Sequence, residues 1–147
     1  MIWEWALSAY ARPGVGEACL RLQDEHGQNT SFLLWAVWAE VKDHELLARA
    51  AAVTRAWDET ALSPLRAVRR ALKPAQPPVE DEAREGLRED VKGAELRAER
   101  VLMETLASLS ADTHGGAPAL QALEAASGAW TTRAPDEALA ALAAALD

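Results

Sequence analysis

Between Asn29 and Ala39 the chain reads T-S-F-L-L-W-A-V-W. Wound as a helix, this stretch is apolar almost all the way round, and a helix with no polar face has to be surrounded rather than laid on a surface. The sequence must therefore supply several other helices, each with one apolar side. It does: every other long segment repeats its apolar residues at helical spacing, and no run of β-branched residues bounded by turns reads as a strand. We expect an all-α compact bundle of about six to seven helices. At 147 residues the chain is long enough to bury a core and short for two independent ones, so residues 1–147 are expected to form a single helical domain.

The punctuation of the chain places those helices. Trp3 to Ala11 forms a first short helix, ended by Arg12-Pro13-Gly14, because proline disfavours helix in the residue before it. Val15 to His26 follows, with Val15, Ala18, Cys19 and Leu22 on one face and Gly27 as C-cap. Asn29, Thr30 or Ser31 caps the apolar helix, and a fourth helix begins near Asp43. Ser63-Pro64 is a helix start, with proline at the first helical position, and leaves open whether one helix is kinked or two are separated. Pro74-Ala75-Gln76-Pro77-Pro78 lacks backbone donors at three positions and makes a stiff corner. A long charged amphipathic helix at about 79–110 follows, with Leu87, Val91, Ala94, Ala98, Val101, Thr105 and Ser108 at alternating steps of four and three, the seam of an antiparallel or coiled-coil pair. Thr113 to Gly116 is a loop, and 118–130 and 135–146 are two closing helices with Leu120, Leu123, Leu139, Leu142 and Leu146 turned inward.

Five of the six tryptophans precede Leu62, so the aromatic anchor of the core lies in the N-terminal half. Residues 1–78 balance nine acids with nine bases, whereas 79–110 hold nine acids and five bases and 111–147 five acids and one base. The net charge of −8 is therefore concentrated in the second half and argues against general nucleic-acid binding, which needs excess cationic charge to displace counterions. The single cysteine, Cys19, has no internal disulfide partner and is expected as a small buried hydrophobe. Met1 is followed by Trp3, Glu4 and Trp5 instead of a basic stretch and a long apolar run, and no segment is an apolar run of about 20 residues. We expect a cytoplasmic protein with no membrane span.

Arg66, Arg69, Arg70 and Lys73 fall at i, i+3, i+4 and i+7 and place four cations on one stripe, opposite Leu65, Val68 and Leu72. Arginine suits bidentate contacts, so the stripe is a candidate contact for an anion or an acidic partner. If the proline corner reverses the chain, Glu80, Asp81, Glu82, Glu85 and Glu89 neutralise it internally instead. Trp35 and Trp38, three residues apart, are candidate walls of an aromatic pocket, although tryptophan is as well suited to a core. Gln23 and Asp24, at the end of the second helix, are read as a buried polar pair holding the Pro13-Gly14-Val15 corner or the start of the third helix through backbone hydrogen bonds; the functional alternative sets them opposite the arginines to grip a ligand. Glu40 and His44, or Asp24 and His26, do not complete a metal motif, and no nucleophile elbow, P-loop or dinucleotide turn is present. No cofactor, metal or catalytic residue is assigned.

Residues 3–73 resemble a proteobacterial family catalogued as domain of unknown function 2390. The resemblance rests on Trp3, Ala6-Leu7, Tyr10, Pro13-Gly14-Val15, Ala18-Cys19-Leu20, Leu22-Gln23-Asp24, Gly27, Leu33-Leu34, Trp38, Trp57, Pro64-Leu65-Arg66, Arg69-Arg70 and Leu72-Lys73. Where the family often carries D-V-N this chain has Asn29-Thr30-Ser31, so the family's aspartate and asparagine are replaced here. The resemblance implies a small bacterial cytoplasmic helical protein and supplies no activity, cofactor or site. We therefore expect a non-enzymatic interaction or adaptor protein, with a protein partner that includes a second copy of itself among its candidates. The alternative is a small anionic-ligand binding protein or enzyme using Arg66, Arg69 and Arg70 with a tryptophan-lined pocket.

Overall fold

The computed structural model of the chain describes residues 1–111 and 114–147. Among these residues there are helices and no strands: α1 (Ile2–Tyr10), α2 (Val15–His26), α3 (Thr30–Trp38), α4 (His44–Trp57), α5 (Ser63–Ala71), α6 (Asp81–Leu109), α7 (Ala119–Ala129) and α8 (Asp136–Leu146). A π-helical turn, Asp58–Leu62, joins α4 to α5 without a break, so the described residues form seven continuous rods. Proline has no N–H to donate and its ring crowds the preceding turn. Here Ser63 N–H reaches back five residues to the Asp58 carbonyl, and Pro64 follows the widened turn inside one uninterrupted helix. The chain neither splits there nor begins anew.

The chain divides into two compact units, residues 1–54 with 103–147 and residues 55–102. In the first, α3 is enclosed as its composition requires: Thr30 through Ala36 are all buried, and α3 packs against α7, α1 and α2 while α8 packs against α2 and α7. Phe32 stacks on Trp35 with ring centroids 5.9 Å apart and meets Trp130 at 5.6 Å. Asn29 Oδ1 accepts from Phe32 N–H at 2.9 Å, the expected N-cap. Gly27, at φ +61°, ends α2 in the left-handed region that suits glycine, and Gln28 N–H closes the turn on the Leu22 carbonyl. On α7 and α8, Leu123, Leu139, Leu142 and Leu146 are buried, whereas Leu120 is exposed and does not face inward.

Thr113 lies outside the described residues; His114 to Gly116 is irregular and is stitched to the end of α3. Gly115 N–H donates to the Ala39 carbonyl and Ala117 N–H to the Glu40 carbonyl. The approach is so close that a Cβ on Gly115 would stand 2.5 Å from the Glu40 carbonyl oxygen. Among the described residues no helix is long and apolar enough to cross a membrane.

The second unit is a helical hairpin. The end of α4, the π turn and α5 run out to the corner at 72–80, and the first part of α6 returns antiparallel to them. Leu62, Arg84, Glu95, Ala98 and Leu102 are its buried positions, and α5 has no buried residue.

Candidate functional site

α6 carries on its hairpin side a row of residues three or four apart, Arg84, Arg88, Val91, Glu95, Ala98 and Leu102, which share one side of a helix. This is not the seam read from the heptad pattern. Leu87, Ala94, Val101, Thr105 and Ser108 are exposed, and the buried row is displaced by about one residue toward the charged side chains. The displacement follows from what α5 offers. Its inward side carries Arg69 and Arg66, which call for a carboxylate opposite them.

That carboxylate is Glu95. Arg69 Nε donates to Glu95 Oε2 at 2.6 Å and Nη2 to Oε1 at 3.4 Å, and Arg66 Nε donates to Oε1 at 3.4 Å. Glu95 is 11% exposed and the two arginines 18% and 24%, so the group is largely removed from solvent. Glu99, one turn further along α6, has its pKa pushed up to about 7, first by burial and second by the Glu95 charge, with Arg66 and Arg69 acting against both. Trp57 Nε1 donates to the Ala98 carbonyl at 2.9 Å and ties the end of α4 to the same stretch of α6.

At the corner the chain does reverse, and the acidic block is spent elsewhere. Arg84, itself buried, donates to the carbonyls of Leu72 and Lys73 at 2.8 and 2.9 Å, closing the C-terminus of α5 with a cation where the helix dipole favours one. Asp81 and Glu85 accompany Arg84 at 3.3 and 2.7 Å, and Glu85 also lies 3.7 Å from Arg88. A hairpin pairs residues equally far from its corner. Asp81, Glu85 and Glu89 pair with Arg84, Arg88 and Lys92 of α6 itself, while Arg66 and Arg69 meet Glu95, further along α6 than the acidic block. Arg70 and Lys73, the other two members of the stripe, are exposed.

The remaining candidates lie in the first unit. Trp35 is fully buried, packed on Phe32, and its Nε1 has no hydrogen-bond partner. Trp38 is half-buried and meets His114 edge-on at 5.1 Å, with His114 Nδ1 3.3 Å from Glu40 Oε1. Gln23 is half-buried and Asp24 exposed. The amide that holds the corner after α2 is Gln28: its Nε2 donates to the His26 and Thr132 carbonyls at 3.0 and 2.6 Å. Ser127 Oγ donates to Gln28 Oε1 at 3.0 Å and accepts from Ala134 N–H at 2.8 Å. Trp130 Nε1 closes the same corner on the Gly27 carbonyl at 3.0 Å.

Glu95, Glu99 and Gln28 were not singled out by sequence spacing. For Glu95 a signal was present: it lies seven residues before Leu102 and eleven before Leu106, on one side of a helix with both. Gln28 carried none, since its partners are about 100 residues away.

The model of a family described as proteins of unknown function, DUF2390, matches residues 1–106. The chain belongs to that family. Neither a curated protein nor a solved structure matches it. In this DUF2390 protein the matched segment runs past residue 73 to include both arms of the hairpin, so Glu95 lies within the family region along with Arg66 and Arg69.

Proposed function

We propose that this DUF2390 protein is a non-enzymatic interaction or adaptor protein, with residues 1–54 and 103–147 as scaffold and the hairpin 55–102 as its partner surface. One observation carries the reading. The hairpin turns Arg66, Arg69, Arg84 and Glu95 inward and leaves large apolar side chains outside: Val68 is 47% exposed, Leu87 52% and Val101 42%. Large apolar side chains left exposed on the hairpin among charged residues such as Arg70, Asp90 and Arg97 are the kind of surface on which another protein docks.

Native mass spectrometry of the protein isolated at low salt from its own host tests the reading. A second polypeptide mass that disappears on Leu87→Glu and Val68→Glu but survives Leu120→Glu, an exposed leucine on α7, is the expected result. A polypeptide mass unaffected by Leu87→Glu, or a bare chain in every preparation, overturns it. A retained small mass lost on Arg70→Ala and Lys73→Ala would move the function to an anionic ligand instead. That ligand would have to displace Glu95 to reach Arg66 and Arg69.

A further inference from the structure

Leu87, Ala94 and Val101 are spaced by seven residues and all three are exposed on α6, while Val91 and Ala98, the alternate positions of the same heptad seam, are partly or fully covered. The hairpin thus fills half of a heptad seam and leaves the other half open. We propose that the open half receives the same face of a second copy of this chain, with the two α6 helices antiparallel about a two-fold axis at Ala94. The proposal rests on the interaction reading of the hairpin and names its partner.

Charge and size select both the partner and the direction. Asp90 and Arg97 flank the open row on one side, about 40° and 60° round the helix from it at 100° per residue. In the antiparallel pairing centred on Ala94, Asp90 of one copy comes level with Arg97 of the other to within one residue, about 1.5 Å along the axis. The two-fold axis makes that pair twice. In a parallel pairing the two copies' Asp90/Arg97 flanks would fall on opposite sides of the pair, so neither charge would find its complement in the other copy. Leu87 of each copy faces Val101 of the other at the two ends, and Ala94 faces Ala94 at the centre. The small central residue, with open space where Gly93 would carry a Cβ, lets the helices approach near the short end of the usual 8–10 Å separation.

Val68 extends the same surface. On α5 it lies about 100° round the helix from Arg69, and on α6 Leu87 lies at a similar angle and in the same sense from Arg84 and Glu95. In antiparallel helices equal offsets of this kind fall on the same side of the pair. The second copy's α6 would therefore lie across both arms of the hairpin, and two hairpins would close as four helices.

Cysteine cross-linking of the full-length protein under mild oxidation tests the geometry, because Cys19 is buried. Ala94→Cys is expected to give a covalent dimer that runs at twice the 15.8 kDa chain mass. Leu87→Cys and Val101→Cys are each expected to stay monomeric alone and to cross-link when mixed. Sedimentation velocity supplies the energetics: Asp90→Arg or Arg97→Asp alone should weaken the dimer at least ~10-fold, and the two together should restore it to within a few-fold. Same-residue cross-linking at all three positions would mean a parallel pair and overturn the proposal. So would a wild-type chain that sediments as a monomer up to about 100 μM, where free energies of only about 5 kcal/mol are already detected. Such a monomer leaves the interaction reading standing where a different polypeptide is still lost on Leu87→Glu; if none is lost, both fail. Unchanged circular dichroism of each variant separates lost association from lost folding.

Discussion

The two units of this DUF2390 protein are held together by different physics. In residues 1–54 and 103–147, Phe32, Leu33, Leu34, Trp35, Leu123 and Leu139 are sealed from water, and Gln28 and Ser127, polar and buried among them, complete their hydrogen bonds within the unit. In residues 55–102, Arg84 and Glu95 are two of five buried positions. Burying a large apolar side chain contributes about 1.5–3 kcal/mol wherever it finds neighbours. A buried ion pair contributes little net stability because desolvation offsets the attraction, yet removing one member is costly. The apolar unit is therefore a source of stability. The ionic unit is a source of register: Glu95 fits between Arg66 and Arg69 at one alignment of the two arms, and Arg84 reaches the end of α5 at that same alignment.

The largest effect is expected where the contrast is sharpest. Trp35→Ala removes the most enclosed aromatic of the first unit and should lower stability by about 3–5 kcal/mol in urea unfolding. Hydrogen exchange should then show lost protection across 30–38 and 119–129. In the second unit Glu95→Ala should cost about 2–4 kcal/mol and open 63–95 first, because two arginines lose their shared carboxylate. Replacing all three residues, Arg66→Met, Arg69→Leu and Glu95→Leu, should return stability close to the starting value. A triple variant as unstable as Glu95→Ala would show that the hairpin draws net stability from its charges, and the contrast between the units would fall.

Glu99 sharpens the same comparison through pH. Its folded pKa of about 7 stands above the reference 4.5, so between those values the folded state holds a proton that the unfolded chain has released. Stability from this group is complete below about pH 4.5, declines as pH rises through 7, and is level above that. Glu99→Gln should remove the decline and stabilise the protein by about 1–3 kcal/mol at pH 8, measured as the difference between denaturation midpoints at pH 5 and pH 8. Of comparable or smaller size, Gly115→Ala should cost about 1–3 kcal/mol, because its Cβ would meet the Glu40 carbonyl, a backbone atom that cannot turn aside. The smallest is Asn29→Ala, which removes the acceptor for Phe32 N–H and should cost about 1 kcal/mol by thermal unfolding.

Most of the helical framework was legible in the chain because its signals are local. Gly27 ends α2 at His26, Asn29 caps α3, and Pro118 and Pro135 immediately precede α7 and α8. The burial of α3 follows from its composition alone. The heptad on α6 was legible too, but not which of its sides α5 would cover. Heptad spacing counts apolar residues, whereas the covered side was chosen by Arg66 and Arg69 seeking Glu95 across 26 to 29 residues of chain.

The sequence by itself determined that this chain is helical, where most of its helices start and stop, and which of them must be interior, since caps, prolines and apolar periodicity act within a few residues of one another. Only the tertiary structure decided that Arg66 and Arg69 share Glu95, that Gln28 rather than Gln23 holds the corner after α2, and that Leu87, Ala94 and Val101 are left outside. Each of those outcomes depends on which distant side chain arrives at hydrogen-bonding distance. A charged or polar group is held inside only where such a partner is present.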